Sequence, residues 1–175
     1  MPKKTISQVE NEIEQIDQLL LYYADLLAKA RETAPGRVEM AALASVLHSF
    51  YNGLENIFLS IARGLDGTPP SGEQWHRDLL NRMALSTENR SAVVPTEMID
   101  RLSEYQGFRH FYRHSYSFLL KWEKLKELVE PLPELWIEVK GELQGFIQTL
   151  SEDRRRKMAS AAQPDQDSAE NEPDG

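Results

Sequence analysis

Two arginines, two histidines and two tyrosines fall within eight consecutive residues, Arg109-His110-Phe111-Tyr112-Arg113-His114-Ser115-Tyr116. The arginine guanidinium is planar, permanently charged and forked, so it can donate two hydrogen bonds to one phosphate. The imidazole ordinarily titrates near neutral pH and can both accept and donate a proton. Together these groups supply what cleavage of an RNA phosphodiester needs without a metal. One moves protons on the 2′-hydroxyl or the leaving oxygen, and the other offsets charge on the phosphorane-like transition state.

Helical geometry limits which residues can cooperate. Arg109 and His114 are five residues apart, about 140° around an ideal helix. They face one cleft only if the helix ends near His114 or the long arginine curls round. Periodicity by itself favours Arg109 with Arg113 and His110 with His114, which share a face at i, i+4.

Other readings compete with catalysis. Histidines four apart have a familiar zinc spacing, but the chain has no cysteine and no acid beside them, which weakens a metal site. Phe108, Phe111, Tyr112 and Phe118 read as core or interface rather than as a base-stacking platform. A mixed Arg/His/Tyr patch can also be a solvated or partner-binding face. Elsewhere, Glu55 sits on an apolar helix and calls for a cationic partner, with Arg109 or His114 as candidates. His48 reads as a packed or hydrogen-bonded structural histidine, and Trp75-His76-Arg77 as a helix start with a buried tryptophan. Arg154-Arg155-Arg156-Lys157 fits a helix C-terminus, where positive charge complements the dipole.

The elements that must position this cluster are helices. Apolar residues from Ile6 to Ala30 recur at steps of three and four and predict a first helix over about Thr5 to Thr33. Ala34-Pro35-Gly36 stops it. A second helix, about Val38 to Gly64, is apolar nearly all round and belongs at the centre, as an antiparallel hairpin with the first. Asp66-Gly67-Thr68-Pro69-Pro70 breaks the chain before a short helix from Glu73 to Leu85. Ser86 to Val94 reads as a loop, and a helix starting at Thr96 delivers the chain into the cluster. Beyond Tyr116 a short helix should end at Glu130-Pro131, and Leu132-Pro133 opens the last one. The pattern predicts an all-α, up-down bundle of four to five helices, with no strand and no internal repeat.

Composition agrees. A hydrophobic share of 41% and a charged share of 27% suit one globular domain, expected over residues 1–157. Residues 158–175 carry five acids and no Lys or Arg, and are expected to form a disordered acidic tail. The net charge of −8 is dominated by that tail, whereas Arg101 to Lys126 holds six Lys/Arg against two acids. Charge therefore neither demands nor forbids a polyanionic partner. Without cysteine there is neither a disulfide nor a thiolate site. No apolar run reaches the roughly 18 residues of a membrane span, and Met1-Pro2-Lys3-Lys4 does not lead a signal peptide. A cytoplasmic protein without membrane partners is expected.

Arg109-x-x-x-x-His114-x-Tyr116 resembles the R-x4-H-x-Y signature of HepT-like ribonuclease toxins in the HEPN superfamily, and the order of helices over about residues 5–150 is similar to that fold. The resemblance implies a metal-independent endoribonuclease that needs no cofactor and acts as a homodimer. In it Arg109 would bind the scissile phosphate and His114 would be the general acid/base. Attack by the ribose 2′-hydroxyl would leave a cyclic phosphate. It further implies a partner, an MNT-type nucleotidyltransferase antitoxin, that attaches AMP to Tyr116 and so places bulk and negative charge in the path of RNA. Many members have asparagine directly after the motif arginine; this chain has His110, which with Arg113 is a candidate supporting group. Some superfamily members are non-catalytic binding modules, so a module that binds a nucleotidyltransferase or a nucleotide is the alternative. A helical scaffold with a chance motif is the plainest reading.

Overall fold

The structure, a computed structural model, describes residues 2–161. It contains seven α-helices: α1 (Pro2–Tyr22), α2 (Ala24–Glu32), α3 (Arg37–Ile61), α4 (Trp75–Met83), α5 (Thr96–His114), α6 (Trp122–Val129) and α7 (Leu132–Ala161). No strand occurs among the described residues; Thr87 and Arg90 form one isolated bridge. The all-α bundle expected from the hydrophobic spacing is the fold, with α1, α3, α5 and α7 as its long members.

α3 is the central element. It buries twelve residues, among them Leu43, Leu47, Phe50, Leu54, Phe58 and Ile61, because its sequence is apolar on more than one face. Its first turn is held by the Glu39 carboxylate, which accepts the Gly36 N–H at 2.9 Å and so satisfies a donor that the helix start would leave open. α1 runs antiparallel to α3, since Thr5 packs on Gly64 and Ile16 on Gly53. The helix expected from Thr5 to Thr33 is divided at Tyr23 (φ −102°, ψ 13°). Hydrogen bonds from Tyr23 N to Leu19 O and from Leu27 N to Tyr23 O carry the ladder across, so the break is a bend within one rod.

α3 leaves through a π-helical turn, Ala62–Asp66, and Gly67 at φ +81° reverses the chain. The expected loop between α4 and α5 is fixed by a feature that local pattern does not disclose. Arg90 is fully buried and donates from Nε and Nη2 to the two Asp66 oxygens, each at 2.9 Å. The same guanidinium donates to the carbonyls of Leu85, Ser91 and Arg82. All five of its donors are thereby used, which is what a buried arginine requires.

α5 packs on α3 through Met98, Leu102 and Tyr105, and the Tyr105 hydroxyl donates to the Leu128 carbonyl at 2.8 Å. α7 closes the bundle against α1, where Trp136 Nε1 and Lys140 both donate to Asp17. α7 crosses the boundary expected at residue 157 and continues to Ala161; the acidic tail from residue 162 lies outside the described residues. No described helix is long and apolar enough to cross a membrane.

Candidate functional site

Arg109 lies on the last-but-one turn of α5 and points at α3, where its side chain is only 12% exposed. Nε donates to Asn52 Oδ1 at 2.5 Å, and Nη2 forms an ion pair with Glu55 Oε1 at 2.9 Å. One of its five donors is thus hydrogen-bonded and its charge is paired, and the fork is oriented by groups one helical turn apart on a rigid element. Glu55 is buried, and its other oxygen, Oε2, lies 2.5 Å from His76 Nδ1 at the start of α4. The His76 ring is in turn stacked on Trp75, with centroids 3.6 Å apart.

A second chain of contacts runs from Arg109 toward the α3 N-terminus. Because Asn52 Oδ1 accepts from Arg109, the other atom of that amide, Nδ2, is a donor, and it faces His48 Nε2 at 2.9 Å. His48 Nε2 is therefore the acceptor, and the neutral ring carries its proton on Nδ1. Nδ1 is buried and has no hydrogen-bond partner among the described residues. Burial, and then the charges of Arg109 and Arg113, hold the His48 pKa below its ordinary value. Tyr112 covers the ring at 4.9 Å between centroids. Nearby, burial and the Glu55 charge push the Tyr51 phenol well up, so it stays neutral.

The other half of the motif has different surroundings. α5 ends at His114, and Ser115 is already extended (φ −117°, ψ 152°). His114 is exposed, with the His110 ring 4.8 Å away. Tyr116 is 74% exposed and stacks on Phe118, with centroids 5.5 Å apart. Arg109 and Glu55 are therefore brought together, while Glu55 does not reach His114. The helix ends at His114, one of the two conditions under which the 140° offset need not separate the pair. Arg113 is exposed and acts on His48 through its charge. No group of three or more His, Cys, Asp or Glu side chains that could hold a metal ion occurs among the described residues.

Three neighbours of Arg109 had no place in the sequence reading of the motif. Asn52 was not singled out, His48 was read as a packed or hydrogen-bonded structural histidine, which its contact with Asn52 fits, and His76 was assigned to a helix start. The signal for two of them was present: His48, Asn52 and Glu55 follow steps of four and three, a polar stripe along an otherwise apolar helix. His76 gave no such signal, since only the π turn and the loop after it bring α4 beside Glu55.

The model of the HepT-like protein family matches residues 42–150, which span α3 to the middle of α7 and hold every residue of this site. The chain belongs to the HepT-like family. No curated protein and no solved structure matches it. Within this HepT-like chain, the matched segment contains both the polar stripe of α3 and the Arg109–Tyr116 stretch, whereas α1 and α2 lie outside it.

Proposed function

We propose that this HepT-like chain is a metal-independent endoribonuclease and the toxin of a toxin–antitoxin pair. The observation that carries the reading is the held guanidinium of Arg109: Asn52 accepts from Nε, Glu55 pairs with the charge, and the Nη1 donors remain for a phosphate. A donor positioned before substrate arrives needs no reorganisation as charge develops in the transition state. His114, at the open end of the same helix, is the acid/base group. The 2′-hydroxyl oxygen bonds to phosphorus, and the bond from phosphorus to the 5′-oxygen breaks. The 2′ proton is removed and the leaving oxygen is protonated, which gives a cyclic phosphate and a free 5′-hydroxyl.

A homodimer supports this chemistry by placing two Arg109–Tyr116 segments in one groove, which offsets an acidic net charge of −8. Silencing follows from AMP attached to the Tyr116 hydroxyl by a nucleotidyltransferase antitoxin; the 74% exposure of this side chain supports access for such an enzyme. The test is induction of the wild type beside His114→Ala, with total RNA resolved on a gel. Growth arrest with new fragments, both abolished by the substitution, is the expected result. Fragments that persist in His114→Ala would overturn the reading.

One observation favours the alternative of a non-catalytic module. His114 has no carboxylate or carbonyl to orient it among the described residues, and Tyr116 with Phe118 offers an exposed aromatic pair. Intact RNA and tight binding to a nucleotidyltransferase would select that reading.

A further inference from the structure

Gly53 permits an unusually close approach of α1 to α3, because a Cβ there would lie 2.9 Å from Ile16 Cγ1. Beside this contact the helices part and leave a groove of about 310 Å³. Ile16, Leu19 and Gly53 form its apolar part, and polar side chains share the lining: Glu12 and Gln15 from α1, Ser49, Asn52 and Asn56 from α3. The core on the other faces of α3 is aliphatic and aromatic, so this polar lining is local. Glu12, Gln15 and Asn56 make no hydrogen bond or ion pair with any described residue, and their donors and acceptors are open to a ligand.

The groove adjoins the Arg109 site through one residue. At about 100° per residue, Asn52 lies on α3 between His48 and Glu55 on one side and Asn56 on the other. It therefore borders both places: its Oδ1 receives Arg109 Nε while its side chain lines the groove. Only the Asn52 side chain thus stands between Arg109 and the groove's lining on α3. The Glu12 carboxylate repels phosphate, so the nucleic-acid backbone stays on the Arg109 and Arg113 side. Amides and a carboxylate suit the edge of an unstacked base, as single-stranded RNA presents it.

We infer that the groove between α1 and α3 is a nucleobase subsite for the nucleotide whose phosphate Arg109 holds, with guanine as the preferred base. Guanine places N1–H and the N2 amino group side by side, two donors that match the two oxygens of Glu12; the amides of Gln15 and Asn56 complete the edge. Uracil and cytosine lack that pair. This subsite rests on the ribonuclease reading for its role and on its own lining for its specificity.

The experiment maps cleavage of a mixed-sequence single-stranded RNA by the wild type and by Glu12→Gln, then replaces the guanine at the preferred position by inosine, which lacks the N2 amino group. Wild type should cut beside guanine, and inosine should raise KM about tenfold, the loss of one hydrogen bond to a charged group. Glu12→Gln should flatten the base preference about tenfold and leave kcat within about twofold, since Glu12 touches no reacting atom. Cutting without base preference, or a pattern that Glu12→Gln leaves unchanged, overturns the subsite while the ribonuclease reading stands. If the wild type cuts no RNA, that reading fails separately, and calorimetric titration with GMP and CMP decides the subsite. Tighter GMP binding that Glu12→Gln abolishes sustains it; equal binding of the two nucleotides overturns it.

Discussion

Arg109 and His114 stand five residues apart on one helix in opposite physical situations. Arg109 is nearly buried, fixed by an amide and a carboxylate from α3, and backed through Glu55 by His76. His114 is exposed on the last turn, and among the described residues its one ring contact is another imidazole, His110. The arginine is thus oriented at folding, when its ordering cost is met by the bundle. The geometry of His114 and Tyr116 is set by where α5 stops and by ring contacts with His110 and Phe118, not by a buried polar partner among the described residues. A buried carboxylate on Arg109 also moderates its charge.

This contrast can be broken by experiment. The largest effect is expected from Arg109→Ala, which removes the phosphate fork and deprives buried Glu55 of its arginine. RNA cleavage should fall by about a thousandfold or more, and denaturant unfolding should show a loss of about 3 kcal/mol. Full stability in that variant would refute the claim that the bundle holds the guanidinium. Next comes His114→Ala, with cleavage reduced about 10²- to 10⁴-fold and stability within about 0.5 kcal/mol of wild type. A stability loss as large as that of Arg109→Ala would erase the difference between the two regions.

Asn52→Ala sharpens the comparison at smaller scale. It frees Nε of Arg109 and removes the donor to His48, so stability should drop by about 1 kcal/mol and kcat/KM about tenfold. Unchanged kinetics would mean that Glu55 alone orients the arginine. The smallest effect concerns pH. The folded pKa of His48 is depressed, so the unfolded chain takes up a proton near the ordinary value of about 6.5 before the folded one does. Stability should therefore fall as pH drops below about 6.5 and recover as pH rises. Melting curves of wild type and His48→Gln, compared between pH 7.5 and 5.5, should differ by a shallower loss in the variant.

Much of the fold was legible because helices with one buried face write their period into the sequence. The stop at Ala34-Pro35-Gly36, the central place of α3 and the helix that begins at Thr96 all follow from local spacing and breakers. The bend at Tyr23 was not legible because the apolar spacing runs through it unbroken, and the burial of Arg90 on Asp66 was not because the two are 24 positions apart. The motif itself was visible as residue types. Its internal division was not, because a 140° offset says only that two side chains diverge, not what each one meets.

The sequence by itself determined the class of structure and the candidate segment: an all-α chain of the HepT-like family, with Arg109, His114 and Tyr116 near the end of one helix. Only the tertiary structure decided that Arg109 is clamped by Asn52 and Glu55, that His76 stands behind Glu55, and that a polar groove opens beside Asn52. The physical reason is range. Helical periodicity is a property of neighbours three and four residues apart, whereas these contacts join residues 21 to 57 positions apart, and only packing brings those together.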